Sequence, residues 1–279
     1  SFLICFLFFF GYYLHIVPLA IISRFSVLTQ FGFGLLRFSP GSYPNEYGIV
    51  SSFVLSILTL VLLEKKHLDF NLSKRWLKTL FLFTLIALLL TTTRAAYLSY
   101  FIALIYLTGK SGKFLKTFTS ISLFILVIFA ILSFCKINMF AILSTGFVQK
   151  IDEGSLGERY FIWLETIEKA ENPPIWGAGF ASLTNLHNVY LQLLFELGFT
   201  GTLFLVGSLF LSFTESIFKY KRVPQDAFLS KIRIVGLIHV LSFAASNHNL
   251  NHHLTWFVCF LCLVFLRLPY LAHSEKSSM

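Results

Sequence analysis

The sequence predicts an all-α fold: a polytopic bundle of transmembrane helices with a long extracytoplasmic loop that carries short helices of its own. Three observations predict it. Of 279 residues, 56% are hydrophobic and 34 are Phe, with 13% charged and a mean hydropathy of +0.77, a composition foreign to soluble globular domains of this length. The apolar residues fall in runs near 1–22, 47–63, 77–92, 94–108, 117–134, 188–218, 234–249 and 254–271, each about long enough, with tilt, to cross a bilayer at ~20 residues per span. Finally, Lys and Arg concentrate on alternate ends of those runs, 15 on one side against 7 on the other. That asymmetry makes the richer side cytoplasmic. The net charge of +9 is spread over short loops and forms no basic patch, which argues against nucleic acid as a partner.

Taken in order, the eight runs form one transmembrane domain over 1–279. Ser1 already lies within an apolar run that lacks a charged leader or cleavage site. A chain truncated at its N-terminus, with further spans upstream, is therefore expected. The segments 64–78, 109–116, 219–233 and 267–279 hold the cytoplasmic cations, among them Lys65, Lys66, Lys74, Arg75, Lys110, Lys221, Arg222 and Arg267. Three outer elements remain: the loop 23–46, the turn at Arg94 and the long loop 135–187. Cys5, Cys135, Cys259 and Cys262 suggest no disulfide framework, since only Cys135 falls in a water-exposed segment; the Cys259/Cys262 pair on an apolar helix reads as packing.

The long loop carries a helix of its own. Ser155 followed by Glu158 is a capping box, Phe161, Leu164 and Ile167 repeat at helical spacing, and Asn172-Pro173-Pro174 stops the helix. Arg159 then lies in the first turn, where a cation opposes the helix dipole and points to an anionic partner; the alternative is an exposed arginine that binds nothing. Pro174-Ile-Trp-Gly-Ala-Gly179 returns the chain to the membrane. Its two glycines suit a tight turn, and a lone Gly-x-Gly is weak evidence for a phosphate cradle.

Beyond the loop, Asn188, Gln192 and Glu196 recur every fourth residue, placing three polar side chains on one face of an otherwise apolar helix. An ionisable residue within a span points to function. Arg94, in Thr91-Thr-Thr-Arg94 between two spans, either snorkels to headgroups or faces a polar cavity and binds an anion. Arg37 opens a turn-rich stretch, RFSPGSYPNEYG, that runs to Gly48. His248 and His252 have the i, i+4 spacing of metal ligands, with His253 adjacent, but no carboxylate accompanies them; they read as an interfacial polar turn, and no metal site is expected.

Together these outer elements resemble the superfamily of O-antigen ligases and of O-antigen and exopolysaccharide polymerases, glycosyltransferases of the bacterial envelope. The resemblance is strongest over Gly157–Gly201, where Arg159, Trp163, Pro174, Gly177, Gly179, His187, Asn188, Tyr190, Leu191, Gln192, Glu196, Leu197, Gly198 and Gly201 follow the family pattern in order. Thr93-Arg94-Ala95 resembles the family's Ser-Arg-Gly/Ala, with Thr in place of Ser, and Arg37 with Pro44-Asn45 resembles its upstream Arg and Pro-Asn element.

The resemblance implies an enzyme of the bacterial inner membrane whose active site faces the periplasm. It would transfer a glycan from undecaprenyl diphosphate to an acceptor hydroxyl, on a glycan or on the lipid A core, with no cofactor and no metal. His187, Arg159 and Arg94 are then the catalytic residues. Arg37, Asn188, Gln192, Trp163 and Thr93 contact substrate, and Glu196 belongs to a buried polar network. Departure of a diphosphate without a divalent ion needs fixed cations, for which paired guanidinium forks suit. His187 would take the acceptor proton; a histidine that caps the descending helix is the alternative. Glu196, roughly 13 Å below His187 at ~1.5 Å per residue, is too deep for a second base unless the helix breaks. Ligase and polymerase need the same residues. A transporter of lipid-linked glycans should show repeated halves with interrupted helices, and the sequence has no internal repeat.

Overall fold

The structure is a computed structural model that describes residues 11–12, 16–22, 44–64, 73–109, 112, 114–134, 161–164, 175–179, 188–218 and 224–244. Among these the fold is all-helical, with no strand. The elements are α1 (Leu19–Ile22), α2 (Pro44–Glu64), α3 (Lys74–Thr91), α4 (Arg94–Gly109), α5 (Phe114–Phe134), α6 (Val189–Phe218) and α7 (Pro224–Ala244). Two helical segments, Asn45–Glu64 in α2 and Val189–Ser208 in α6, are long and apolar enough to cross a membrane. The shorter α4, at 16 residues, rises only about 24 Å at ~1.5 Å per residue, against a hydrocarbon core of ~30 Å. The run expected at 254–271, the four cysteines and the histidines at 248, 252 and 253 lie outside the described residues.

Local chemistry sets the helix starts. Pro44 and Pro224 open α2 and α7 at the position where the missing N–H costs nothing. Ser73 caps α3, its Oγ accepting from Trp76 N at 3.2 Å. Pro224 begins α7 ten residues ahead of the apolar run at 234–249, because the start signal lies in the polar connector.

The chain divides into two compact units: Ser1–Leu55 with Lys78–Leu156, and Ser56–Leu77 with Gly157–Met279. In the first, Leu55, Leu85, Leu88, Leu89, Ala96 and Tyr100 form the core, and α4 meets α5 through an edge-to-face pair, Phe101 and Phe118, with ring centroids 6.0 Å apart. In the second, α6 lies along α7. Val189, Leu193 and Ala244 pack together, and the Tyr190 hydroxyl donates to the Leu241 carbonyl at 2.7 Å.

A fully buried His239 adds a polar contact to this second core. Its Nδ1 lies 2.8 Å from the Val235 carbonyl, so that nitrogen donates. Nε2 lies 3.5 Å from Ser56 Oγ. Lys231 and Glu64 form an ion pair in the same unit.

Candidate functional site

In the first unit, α3 and α4 are joined by the Thr91–Arg94 turn. Thr92 takes φ 51°, unusual for a β-branched residue, and its N–H donates to the Leu89 carbonyl at 3.2 Å. The same carbonyl accepts the Tyr97 hydroxyl at 2.7 Å, closing the turn from the α4 side. Thr93 is 4% exposed; its carbonyl accepts from Ala96 N and Tyr97 N, and its hydroxyl bonds the Thr91 carbonyl at 3.4 Å. Arg94 is therefore the first residue of α4 and half-buried, a cation where the helix dipole is also positive, and the combined field favours an anion.

Helix α2 meets this turn through a glycine. A Cβ at Gly48 would stand 2.7 Å from both Cβ and Oγ1 of Thr93 and 3.1 Å from Thr91 Oγ1, so only glycine lets α2 approach so closely. Glu46, buried at 7% exposure, lies two residues earlier, in the first turn of α2. Sequence reasoning did not single out Glu46 or Gly48. The available signal was an acid in the first turn of an apolar helix, followed two residues later by glycine.

In the second unit, Asn188 is the N-cap of α6: its Oδ1 accepts from Tyr190 N at 3.0 Å and Leu191 N at 3.2 Å, and its carbonyl from Gln192 N at 3.1 Å. The cap uses only the side-chain oxygen and leaves the amide NH2 for a further partner. One turn on, Gln192 Nε2 donates to Glu196 Oε1 at 2.9 Å, with the two residues 5% and 2% exposed. This is a carboxylate held by an amide inside an apolar helix pair.

Immediately below Glu196 the helix breaks. Gly198 has φ 69° and ψ −175°, a conformation essentially confined to glycine. The turn Ile175–Gly179 fills the break: Ala178 N donates to the Phe195 carbonyl at 2.9 Å, Gly179 N to the Glu196 carbonyl at 3.1 Å, and Thr200 N to the Ile175 carbonyl at 3.3 Å. Gly177, at φ 83°, has no room for a side chain, since a Cβ there would stand 2.2 Å from the Glu196 carbonyl oxygen. The Gly-x-Gly element is thus a close-approach device, and Glu196 sits at the seam between two half-helices. Trp163 is half-buried in the helical residues 161–164. Arg37, Arg159 and His187 lie outside the described residues.

These features define a class: a helical protein with apolar helices of membrane-crossing length, one of them broken beside a buried carboxylate. Residues 79–206 match the O-antigen ligase family model. That stretch holds Thr93, Arg94, Arg159, Trp163, His187, Asn188, Gln192 and Glu196, and over it the chain is similar to the O-antigen ligase family. Arg37 and the histidine cluster at 248–253 fall outside the match. No curated protein and no solved structure matches the chain.

Proposed function

We propose that this protein is a glycosyltransferase of the bacterial inner membrane, with about eight spans and an extracytoplasmic loop at 135–187. It transfers a glycan from undecaprenyl diphosphate to an acceptor hydroxyl at the outer face. The supporting observation is the family match over 79–206, which encloses the two arginines and the histidine suited to this chemistry. In the reaction the acceptor oxygen bonds the anomeric carbon, the bond from that carbon to the diphosphate oxygen breaks, and undecaprenyl diphosphate leaves. Arg94 and Arg159 stabilise the charge that develops on the diphosphate. The His187 imidazole takes the hydroxyl proton. Asn188 and Trp163 contact the glycan, as do Thr93 and Arg37 at the outer ends, while Gln192 and Glu196 fix the helix that carries His187 and Asn188.

Two other readings have support. A polymerase would use the same residues and differ only in its acceptor, a second lipid-linked repeat unit in place of a lipid A core. A transporter of lipid-linked glycans shares the interrupted helix, which the structure has at Gly198. Reconstitution in proteoliposomes separates the three. Purified chain, given undecaprenyl-diphosphate glycan on the outer face, should extend a lipid A-core acceptor; extension of a second lipid-linked unit instead makes it a polymerase. Movement of donor between leaflets with neither product would overturn the enzyme reading.

A further inference from the structure

The Ile175–Gly179 turn is bonded to α6 far from that helix's start. The groups it meets, from Phe195 to Thr200, lie roughly 9–16 Å along the axis from Val189 at ~1.5 Å per residue. Gly198 is the tenth residue of the twenty in the span Val189–Ser208, so the contact is halfway across. We infer that Ile175–Gly179 is a re-entrant turn that seats Ile175 and Trp176 among the acyl chains of the bilayer, at mid-span depth. The inference rests on reading Val189–Ser208 as a membrane span.

Three observations carry it. Backbone at that depth is tolerated only if its polar groups are satisfied within the protein. Here the match is reciprocal: the break at Gly198 exposes the Phe195 and Glu196 carbonyls and the Thr200 N–H, and the turn supplies Ala178 N, Gly179 N and the Ile175 carbonyl to those groups. Next, the side chains point away from protein. Ile175 is 65% and Trp176 77% exposed, and the Ile175 carbonyl is bonded by Thr200 N, in the stretch of the span that also exposes Phe199, Leu203 and Phe204. Water would penalise these exposed apolar side chains, and acyl chains would wet them. Lastly, no Asp, Glu, Lys or Arg occurs from Asn172 to Phe195, and the one acid at the contact, Glu196, is 2% exposed and bonded by Gln192.

Fluorescence quenching tests this. With Trp76, Trp163 and Trp256 replaced by Phe, Trp176 is the only indole, and the protein is reconstituted in phosphatidylcholine vesicles brominated midway along the acyl chains. Trp176 should emit to the blue, lose most of its intensity to the brominated lipid, and lose little to aqueous acrylamide. A chain with Trp176→Phe as well and Phe204→Trp reports on the span alone. If Phe204→Trp is quenched by bromolipid while Trp176 is quenched by acrylamide instead, the turn is in water and the inference fails with the span intact. If neither responds to bromolipid, the span reading fails and the inference falls with it. Should the multiple replacement impair folding, Trp176→Cys in the otherwise native chain gives the same decision, read by peptide mapping. Protection from a membrane-impermeant maleimide supports insertion, and rapid labelling overturns it.

Discussion

Gly177 stands so close to Glu196 that a methyl group on its Cα would lie 2.2 Å from the Glu196 carbonyl oxygen, with Gly198 N and Leu197 C at 2.5 Å. All three neighbours are backbone, so nothing can rotate aside. At φ 83° an alanine would also be strained. Gly177→Ala should therefore destabilise the protein by at least about 2 kcal/mol from strain and overpacking together. Gly179 is the matched control: its φ of 97° imposes strain, but nothing lies within 4 Å of the added methyl. Gly179→Ala should cost only about 1–2 kcal/mol. Thermal unfolding in detergent checks the pair, and equal losses would remove the close approach as the cause.

At the Thr91–Arg94 turn the same logic applies to a side-chain neighbour. Gly48→Ala would push α2 off Thr93, whose Cβ and Oγ1 are both 2.7 Å from the new methyl. A stability loss of about 1–3 kcal/mol is expected. If the turn positions Arg94 for the reaction, transfer should fall further than the loss of folded protein explains. Arg94→Lys should reduce transfer with stability kept, because a point charge cannot reproduce the bidentate fork. Glycan transfer per folded molecule, measured for both variants, is the check; near-normal transfer in Arg94→Lys would return Arg94 to a snorkelling role.

The buried pair can be tested without any substrate. Gln192→Leu leaves the Glu196 carboxylate without its amide donor in an apolar surrounding and should cost about 1–3 kcal/mol. Replacing both residues by Leu should cost less than the two single changes summed, since no stranded polar group remains. Additive losses in a double-mutant cycle by chemical unfolding would mean that the amide and carboxylate act independently.

Helix positions were legible because apolar runs and their stops are local signals. The starts were less so, since Pro44, Ser73 and Pro224 open helices ahead of the runs read from 47, 77 and 234; the four-residue recurrence of Gln192 and Glu196 is what lets one side chain reach the other. The break at Gly198 was not legible. The glycine stands in an apolar run that any window reads as one helix, and what makes the break favourable, the arrival of Ile175–Gly179, comes from a segment about twenty residues upstream. The same holds for Gly48, whose need for glycine arises from Thr91 and Thr93, more than forty residues away. Close approach of two backbones is a tertiary fact, and a single sequence shows only the permissive residue.

Asn188 changes how His187 should be tested. A histidine at the head of a span has two readings, proton acceptor or helix cap. The cap of α6 is the Asn188 side chain, which already accepts from Tyr190 N and Leu191 N. Asn188→Ala should therefore lower stability by about 1 kcal/mol. His187→Ala should leave stability nearly unchanged while slowing transfer by about 10²-fold or more, the lower end of what a positioned general base contributes. His187→Gln should behave like the alanine variant, because an amide cannot take a proton at neutral pH. The discriminating quantity is transfer rate against stability across the three variants. Full activity in His187→Gln would show that the proton leaves by another route, and a stability loss in His187→Ala as large as that in Asn188→Ala would make the histidine a structural partner of the cap.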